Sequence, residues 1–176
     1  MKNIYIIILL SFSLVSMTLY DITLTDSKTS EAIHLSDYKG KIVMIVNTAS
    51  LCGFTKQYSS MQNLWDKYKN KNFILIAVPT NDFGDQEPGT NKEINDFCET
   101  NFGIDFIITE KITSKGENKH PLFKLINNEF SYGSGPLWNF YKYLFSKEGE
   151  AIDWFASTTE PDSEKIISII EKNLTK

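Results

Sequence analysis

The sequence predicts an α/β domain: a mixed β-sheet with helices on both faces, preceded by an N-terminal β-hairpin. Two apolar runs, residues 41–47 (Lys-Ile-Val-Met-Ile-Val-Asn) and 73–78 (Phe-Ile-Leu-Ile-Ala-Val), are continuous rather than alternating, as strands covered on both faces are. Between them Tyr58, Met61, Leu64, Trp65 and Tyr68 recur at spacings of three and four, the period of a helix. A β-α-β unit follows, and its crossover makes the two strands parallel.

The remaining elements fall into place in chain order. Residues 19–25 alternate in character, Asp26-Ser27-Lys28 supplies turn residues, and residues 32–35 return, which reads as a hairpin. Residues 36–40 turn into the first long strand, and a helix is predicted over 55–68. After the second strand, residues 79–89 form a loop. Thr90 then caps a helix whose third residue is Glu93, the reciprocal pattern in which each side chain satisfies the other's backbone N–H. That helix carries Ile94, Phe97 and Cys98. A short strand near residues 106–108 and a short helix over 121–127 come next, then strands over 140–145 and 151–155 joined through a turn at Gly149. A last amphipathic helix spans about 161–174. The arrangement is thioredoxin-like.

At 176 residues, 41% of them hydrophobic and 23% charged, the chain suffices for one domain with a substantial core. Its formal net charge is −4 and no Lys/Arg cluster makes a basic face, so a polyanion gains little from counterion release and nucleic acid is not an expected partner. Residues 1–18 differ from the rest. Lys2 precedes a dense apolar stretch from Ile4 to Leu10 that fades toward Met17, with small or polar Ser13, Ser16 and Thr18 near its end. This segment reads as an export signal cleaved near residues 16–18, or as an uncleaved anchor, and the domain proper as 19–176. Export to a periplasmic, secreted or secretory-pathway compartment is the expectation, with membrane attachment or an organelle as the alternative and contact with a membrane only through this segment.

The two cysteines lie 46 positions apart. Cys52 follows the first buried strand, where α/β sheets gather their ligands, and precedes a helix, whose unpaired N–H groups and partial positive charge favour a thiolate. The alternative at that position is a small buried apolar residue. A second cysteine three residues on would make a disulfide-exchange pair, but that residue is Thr55. Cysteine hydrolysis needs a histidine beside the thiol, and the two available are His34 on the early hairpin and His120 before a proline at a helix start, where a capping role is expected. No His, Cys or carboxylate cluster has metal-ligand spacing, and no cofactor is expected. Peroxide chemistry fits what remains. A thiolate attacking an O–O bond needs no base, only neutral N–H donors that stabilise the leaving oxygen, and Gln86, Trp138 and Asn139 carry such donors.

Three segments then carry a resemblance: Asn47-Thr48-Ala49-Ser50-Leu51-Cys52-Gly53-Phe54-Thr55, Pro79-Thr80-Asn81-Asp82-Phe83-Gly84-Asp85-Gln86-Glu87-Pro88-Gly89, and Trp138-Asn139-Phe140. In order and spacing they resemble the signature segments of the glutathione peroxidase family, over nearly all of residues 19–174. The resemblance implies a catalytic tetrad of Cys52, Gln86, Trp138 and Asn139, with Cys52 as the peroxidatic residue that selenocysteine replaces in some members. It also implies that Cys98 is the resolving cysteine of the thioredoxin-dependent branch. The helix end bearing Cys98 would then unwind locally to bring the two sulfurs together. Two departures stand out: Thr80 replaces a cysteine frequent in the family, and Asp82 replaces a glutamine, putting a carboxylate that opposes thiolate formation if it points inward. The long insertion that accompanies tetramers is absent, so a monomer is expected.

The resulting expectation is a thiol peroxidase for hydrogen peroxide and organic or lipid hydroperoxides, serving the response to oxidative stress. It would pass through a Cys52 sulfenic acid and a Cys52–Cys98 disulfide, recycled by a thioredoxin-type dithiol or by glutathione. The alternative, built on the same residues, is a redox sensor or relay that hands its oxidation to a partner protein. A permanent structural Cys52–Cys98 bridge is the third reading.

Overall fold

The computed structural model describes residues 17–130 and 135–175; the expected export signal, residues 1–18, lies almost wholly outside them. Five strands form one sheet in the order β5-β4-β3-β6-β7, with β3 (Ile42–Thr48), β4 (Phe73–Pro79), β5 (Ile107–Ile108), β6 (Lys142–Phe145) and β7 (Ala151–Phe155). The pair β3–β4 is parallel in the register Ile42 opposite Phe73 through Thr48 opposite Pro79, and β4–β5 is also parallel. The pairs β3–β6 and β6–β7 are antiparallel. A separate antiparallel hairpin joins β1 (Thr23–Thr25) and β2 (Ala32–His34). This is the mixed α/β sheet the sequence predicts, in a thioredoxin-like arrangement. Residues 19–21, expected to extend the first strand, instead form a 3-10 turn.

Strand alternation divides the core. Ile42, Met44, Val46, Leu75 and Ala77 face one side, packed against α1 (Gln57–Tyr68), α2 (Asn91–Phe102) and α4 (Glu164–Leu174) through Tyr58, Met61, Leu64, Ile94, Cys98, Ile166 and Ile170. Val43, Ile45, Ile74, Ile76 and Val78 face the other, under the hairpin residues Leu24 and Ile33 and α3 (Pro121–Glu129) with Leu122, Phe123, Leu125 and Ile126. Every residue of β3 and β4 is therefore buried, which explains why neither strand alternates in sequence.

Local signals set the helix ends. Thr90 and Glu93 form the reciprocal cap at the start of α2, and Gly103, left-handed at φ 62°, closes its end. His120 caps α3: its Nδ1 accepts from the Leu122 N–H, and Pro121 takes the first helical position. Gly149 turns the β6–β7 hairpin at φ 83°. Among the described residues no helix is long and apolar enough to cross a membrane.

Candidate active site

The site is assembled at the carboxyl ends of β3 and β4 by three loops. The first carries Cys52. Its placement differs from the expectation: α1 begins at Gln57, not at residue 55, so Cys52 stands five residues before the helix in a chain of tight turns. The reason lies in Thr55. Its hydroxyl accepts the Cys52 N–H at 3.0 Å and donates to the Ala49 carbonyl at 2.9 Å, so it is engaged backward into the loop instead of capping the helix. The residue standing where a disulfide-exchange pair would have its second cysteine thus fixes the loop that holds the first. The sulfur receives one backbone donor, the Phe54 N–H at 3.5 Å, and the side chain is half-buried. Such an N–H stabilises a thiolate more than a thiol.

The second loop brings Gln86. Its carbonyl accepts the N–H of Leu51, the residue before Cys52, at 2.9 Å, tying the two loops together. At Gly84, left-handed at φ 69°, an added Cβ would lie 3.4 Å from the Trp138 ring and 3.6 Å from the Gln86 amide nitrogen, so both side chains close over this glycine. The carboxylate of Asp82 does not point inward. It accepts from the Thr80 hydroxyl and from both the backbone N–H and the hydroxyl of Ser114. Burial pulls its pKa up, but the Ser114 and Thr80 donors outweigh this and hold it below the ordinary value. The concern that it would oppose a thiolate is removed by this turn toward Ser114.

The third loop carries Trp138 and Asn139. Asn139 is fully buried, and its amide donates to the Gln86 Oε1 at 2.9 Å and the Phe83 carbonyl at 3.4 Å. By engaging the oxygen end of Gln86 it aims that residue's N–H₂ group the other way. The Trp138 ring meets Phe83 edge-on at 6.3 Å and remains 40% exposed. Asn47, at the end of β3, holds this corner from below: its Nδ2 donates to the Trp138 carbonyl at 3.0 Å, and its Oδ1 accepts the Tyr141 N–H at 2.9 Å. Phe140 adopts φ 61°, a left-handed backbone that costs an aromatic residue about 1–2 kcal/mol. As a result β6 begins at Lys142 rather than at residue 140. Among the described residues the exposed large apolar side chains are Leu51, Leu137 and Trp138, each within one residue of a candidate site residue.

Cys98 lies apart, in the last turns of α2. Both cysteines are free thiols, and Cys98 is fully buried in the core. Burial pushes its thiol up to about 12; the Tyr58 hydroxyl pulls the other way, and the Glu87 carboxylate adds to the rise. Glu87 is itself 1% exposed, and burial drives its carboxyl up to about 7 despite Ser50 and Lys111 nearby. Between the Cys52 loop and α2 runs an apolar groove lined by Leu51, Pro88, Ile94 and Phe97, with Glu87 and Glu93 at its sides. Among the described residues no group of three or more His, Cys, Asp or Glu is placed to hold a metal ion.

The structure therefore brings the loops of Cys52, Gln86, Trp138 and Asn139 into one corner and leaves Cys98 behind it in the core. Sequence reasoning missed Asn47, Thr55 and the backbone strain at Phe140. Asn47 is bonded to the 138–141 corner of another loop, and Thr55 turns back onto Cys52 and Ala49 of its own, so neither follows a helix or strand period.

Comparison with known proteins agrees with this geometry. The family model described as Glutathione peroxidase matches residues 19–127. A glutathione peroxidase of Lactococcus lactis is 40% identical over 148 residues, covering 83% of this chain and 94% of its own. A glutathione peroxidase-like peroxiredoxin of Saccharomyces cerevisiae is 38% identical over 158 residues, covering 87% and 97%. Among solved structures, the crystal structure of Trgpx in apo form superposes with a TM-score of 0.73 at 32% identity, covering 92% of this chain and 97% of that one.

Proposed function

The chain belongs to the glutathione peroxidase family and is a peroxidase, and on that premise we propose that Cys52 reduces hydroperoxides and that Cys98 resolves the oxidised product. The Cys52 thiolate attacks one peroxide oxygen, the O–O bond breaks, and the departing alkoxide or hydroxide takes a proton to leave as alcohol or water, with a sulfenic acid on Cys52. The Cys98 thiol then condenses with it: the S–S bond forms, the S–OH bond breaks, and the thiol proton leaves with the hydroxyl as water. A dithiol reductant of the thioredoxin type, or glutathione, returns both cysteines to thiols by exchange.

The observation that carries this reading is one half-buried sulfur that accepts a backbone N–H in the corner where the loops of Gln86, Trp138 and Asn139 meet. The Phe54 N–H donates to the sulfur at 3.5 Å, and Asn139 holds the oxygen end of Gln86, which leaves that residue's N–H₂ group as a neutral donor for the peroxide oxygens. Neutral donors of this kind favour the starting thiolate and then the negative charge that passes from sulfur to the departing oxygen as the O–O bond breaks, where preorganised donors act most strongly. Support for the resolving role comes from the thiol state of both cysteines and the position of Cys98 in the final turns of a helix, the part most easily opened. The apolar rim of Leu51, Leu137 and Trp138 suits organic hydroperoxides as well as hydrogen peroxide. Residues 1–18 are read as an export signal, so the reductant is one available outside the cytosol.

The test is hydroperoxide turnover by the chain lacking residues 1–18, with thioredoxin and its reductase in one arm and glutathione with its reductase in the other. Rapid NADPH consumption, faster with thioredoxin, is expected. Slow turnover in both arms with a trapped mixed disulfide to another protein would instead indicate a redox relay.

A further inference from the structure

Lys142 is the one lysine with no exposed surface among the described residues. Among the described residues its ammonium makes no ion pair at bonding distance; its Nζ donates to three main-chain carbonyls, those of Ala156 at 3.4 Å, Ser157 at 3.3 Å and Thr159 at 2.6 Å. Taking an ammonium out of water is expensive unless every proton is engaged, and methionine or leucine would fill the same position on β6 at no such cost. Carbonyls of one short segment, residues 156–159 after β7, converge on this single cation. The cation thus folds that segment into a fixed strap.

The strap meets the site at Ser157. Its hydroxyl donates to the Asn139 carbonyl at 2.6 Å. Its carbonyl, besides receiving Lys142, accepts Gln57 Nε2 at 2.7 Å. Gln57 is the first residue of α1, the helix that the Cys52 loop leads into. One buried serine therefore links the segment after Cys52 with the residue that orients Gln86. Asn139 also sits next to Phe140, whose left-handed backbone stores strain that must be held in place by its surroundings.

We propose that Lys142 is a positioning residue for the peroxide step: by clamping residues 156–159 it makes Ser157 hold Asn139 and the start of α1 at a fixed separation, so that the Gln86 amide and the Cys52 sulfur stay in register. The inference rests on the peroxidatic reading of Cys52. Burial draws the Lys142 ammonium down to about 7, with Glu160 pulling the other way.

The experiment compares Lys142→Met, Ser157→Ala and the double variant with the unaltered chain. Two quantities are read: the second-order rate constant for peroxide reduction per titrated thiol, and the pH dependence of Cys52 alkylation in a Cys98→Ser background. Each single variant is expected to lower the peroxide rate constant at least tenfold and to shift the midpoint of the alkylation profile, and the double variant to be no slower than the slower single one. A variant that melts earlier yet keeps both the rate constant and the alkylation profile reduces Lys142 to a structural role and overturns the proposal, as does a double variant whose losses multiply. Ser157→Ala leaves the three lysine contacts in place, so it decides the matter if Lys142→Met does not fold. An unaltered chain without peroxidase activity would sink the peroxidatic reading, and the alkylation profile would still report whether Ser157 positions Cys52.

Discussion

Replacing Gly103 by alanine should accelerate disulfide formation without touching the reaction with peroxide. Cys98 is fully buried, and burial raises its thiol from 9.0 to about 12. A thiol held that high is scarcely ionised near neutral pH. On the proposed mechanism, the resolving step therefore requires an opened form of the last turns of α2 that brings the buried Cys98 to Cys52. Opening breaks the hydrogen bonds from the Gly103 N–H to the carbonyls of Cys98 and Glu99 that close the helix. Gly103 sits at φ 62°, and an added Cβ meets nothing within 4 Å, so alanine costs backbone strain alone, about 1 kcal/mol. That strain is present in the closed helix and released on opening. The opened population rises about fivefold, since 1.4 kcal/mol is tenfold. The assay mixes reduced protein with one equivalent of hydrogen peroxide, quenches with an alkylating reagent at successive times, and counts disulfide by mass. A fivefold faster approach to disulfide with an unchanged rate of peroxide loss is expected. An unchanged or slower disulfide step would refute the opening mechanism.

Cys98→Ser should remain folded, consume one peroxide per Cys52 as fast as the unaltered chain and then stall, with thioredoxin-coupled turnover lost. Thr55→Val keeps the shape but removes both bonds that brace the Cys52 loop, and it should cost about 1–2 kcal/mol in urea unfolding and slow the peroxide step. Glu87 gives a pH dependence of definite sign. Its folded carboxyl holds a proton up to about 7, against 4.5 ordinarily, so the stability it supports is complete below 4.5 and is lost as pH rises through 7, by at most about 3 kcal/mol. Denaturant midpoints measured across that window should fall with pH, and Glu87→Gln should flatten the fall.

The sequence alone revealed those features whose causes are local. β3 and β4 were legible because full burial on both faces writes a continuous apolar run, and the start of α2 because Thr90 and Glu93 cap each other within one turn. The start of α1 was not, because apolar spacing marks a helix's buried face and not its first residue. The sequence predicts the helix from residue 55, yet the Thr55 hydroxyl serves Cys52 and Ala49 behind it and the helix begins at Gln57. β6 was expected to begin at Phe140, an aromatic that suits strands; Asn47 instead holds the 138–141 corner, and Phe140 turns left-handed. Asp82 looked threatening to a thiolate because nothing in the sequence announces Ser114, 32 positions later, as its partner. Lys142 gave no sign of burial, since its acceptors are backbone carbonyls that every residue possesses. What local pattern could not supply was the set of long-range hydrogen bonds that hold the three loops together.

The central claim, that the Cys52 sulfur breaks the O–O bond, is tested most directly by single-turnover loss of hydrogen peroxide with the reduced chain and with Cys52→Ala, both carrying Cys98. The account predicts one peroxide consumed per Cys52 in the former and a rate indistinguishable from buffer in the latter. Equal peroxide loss by the two proteins would contradict it.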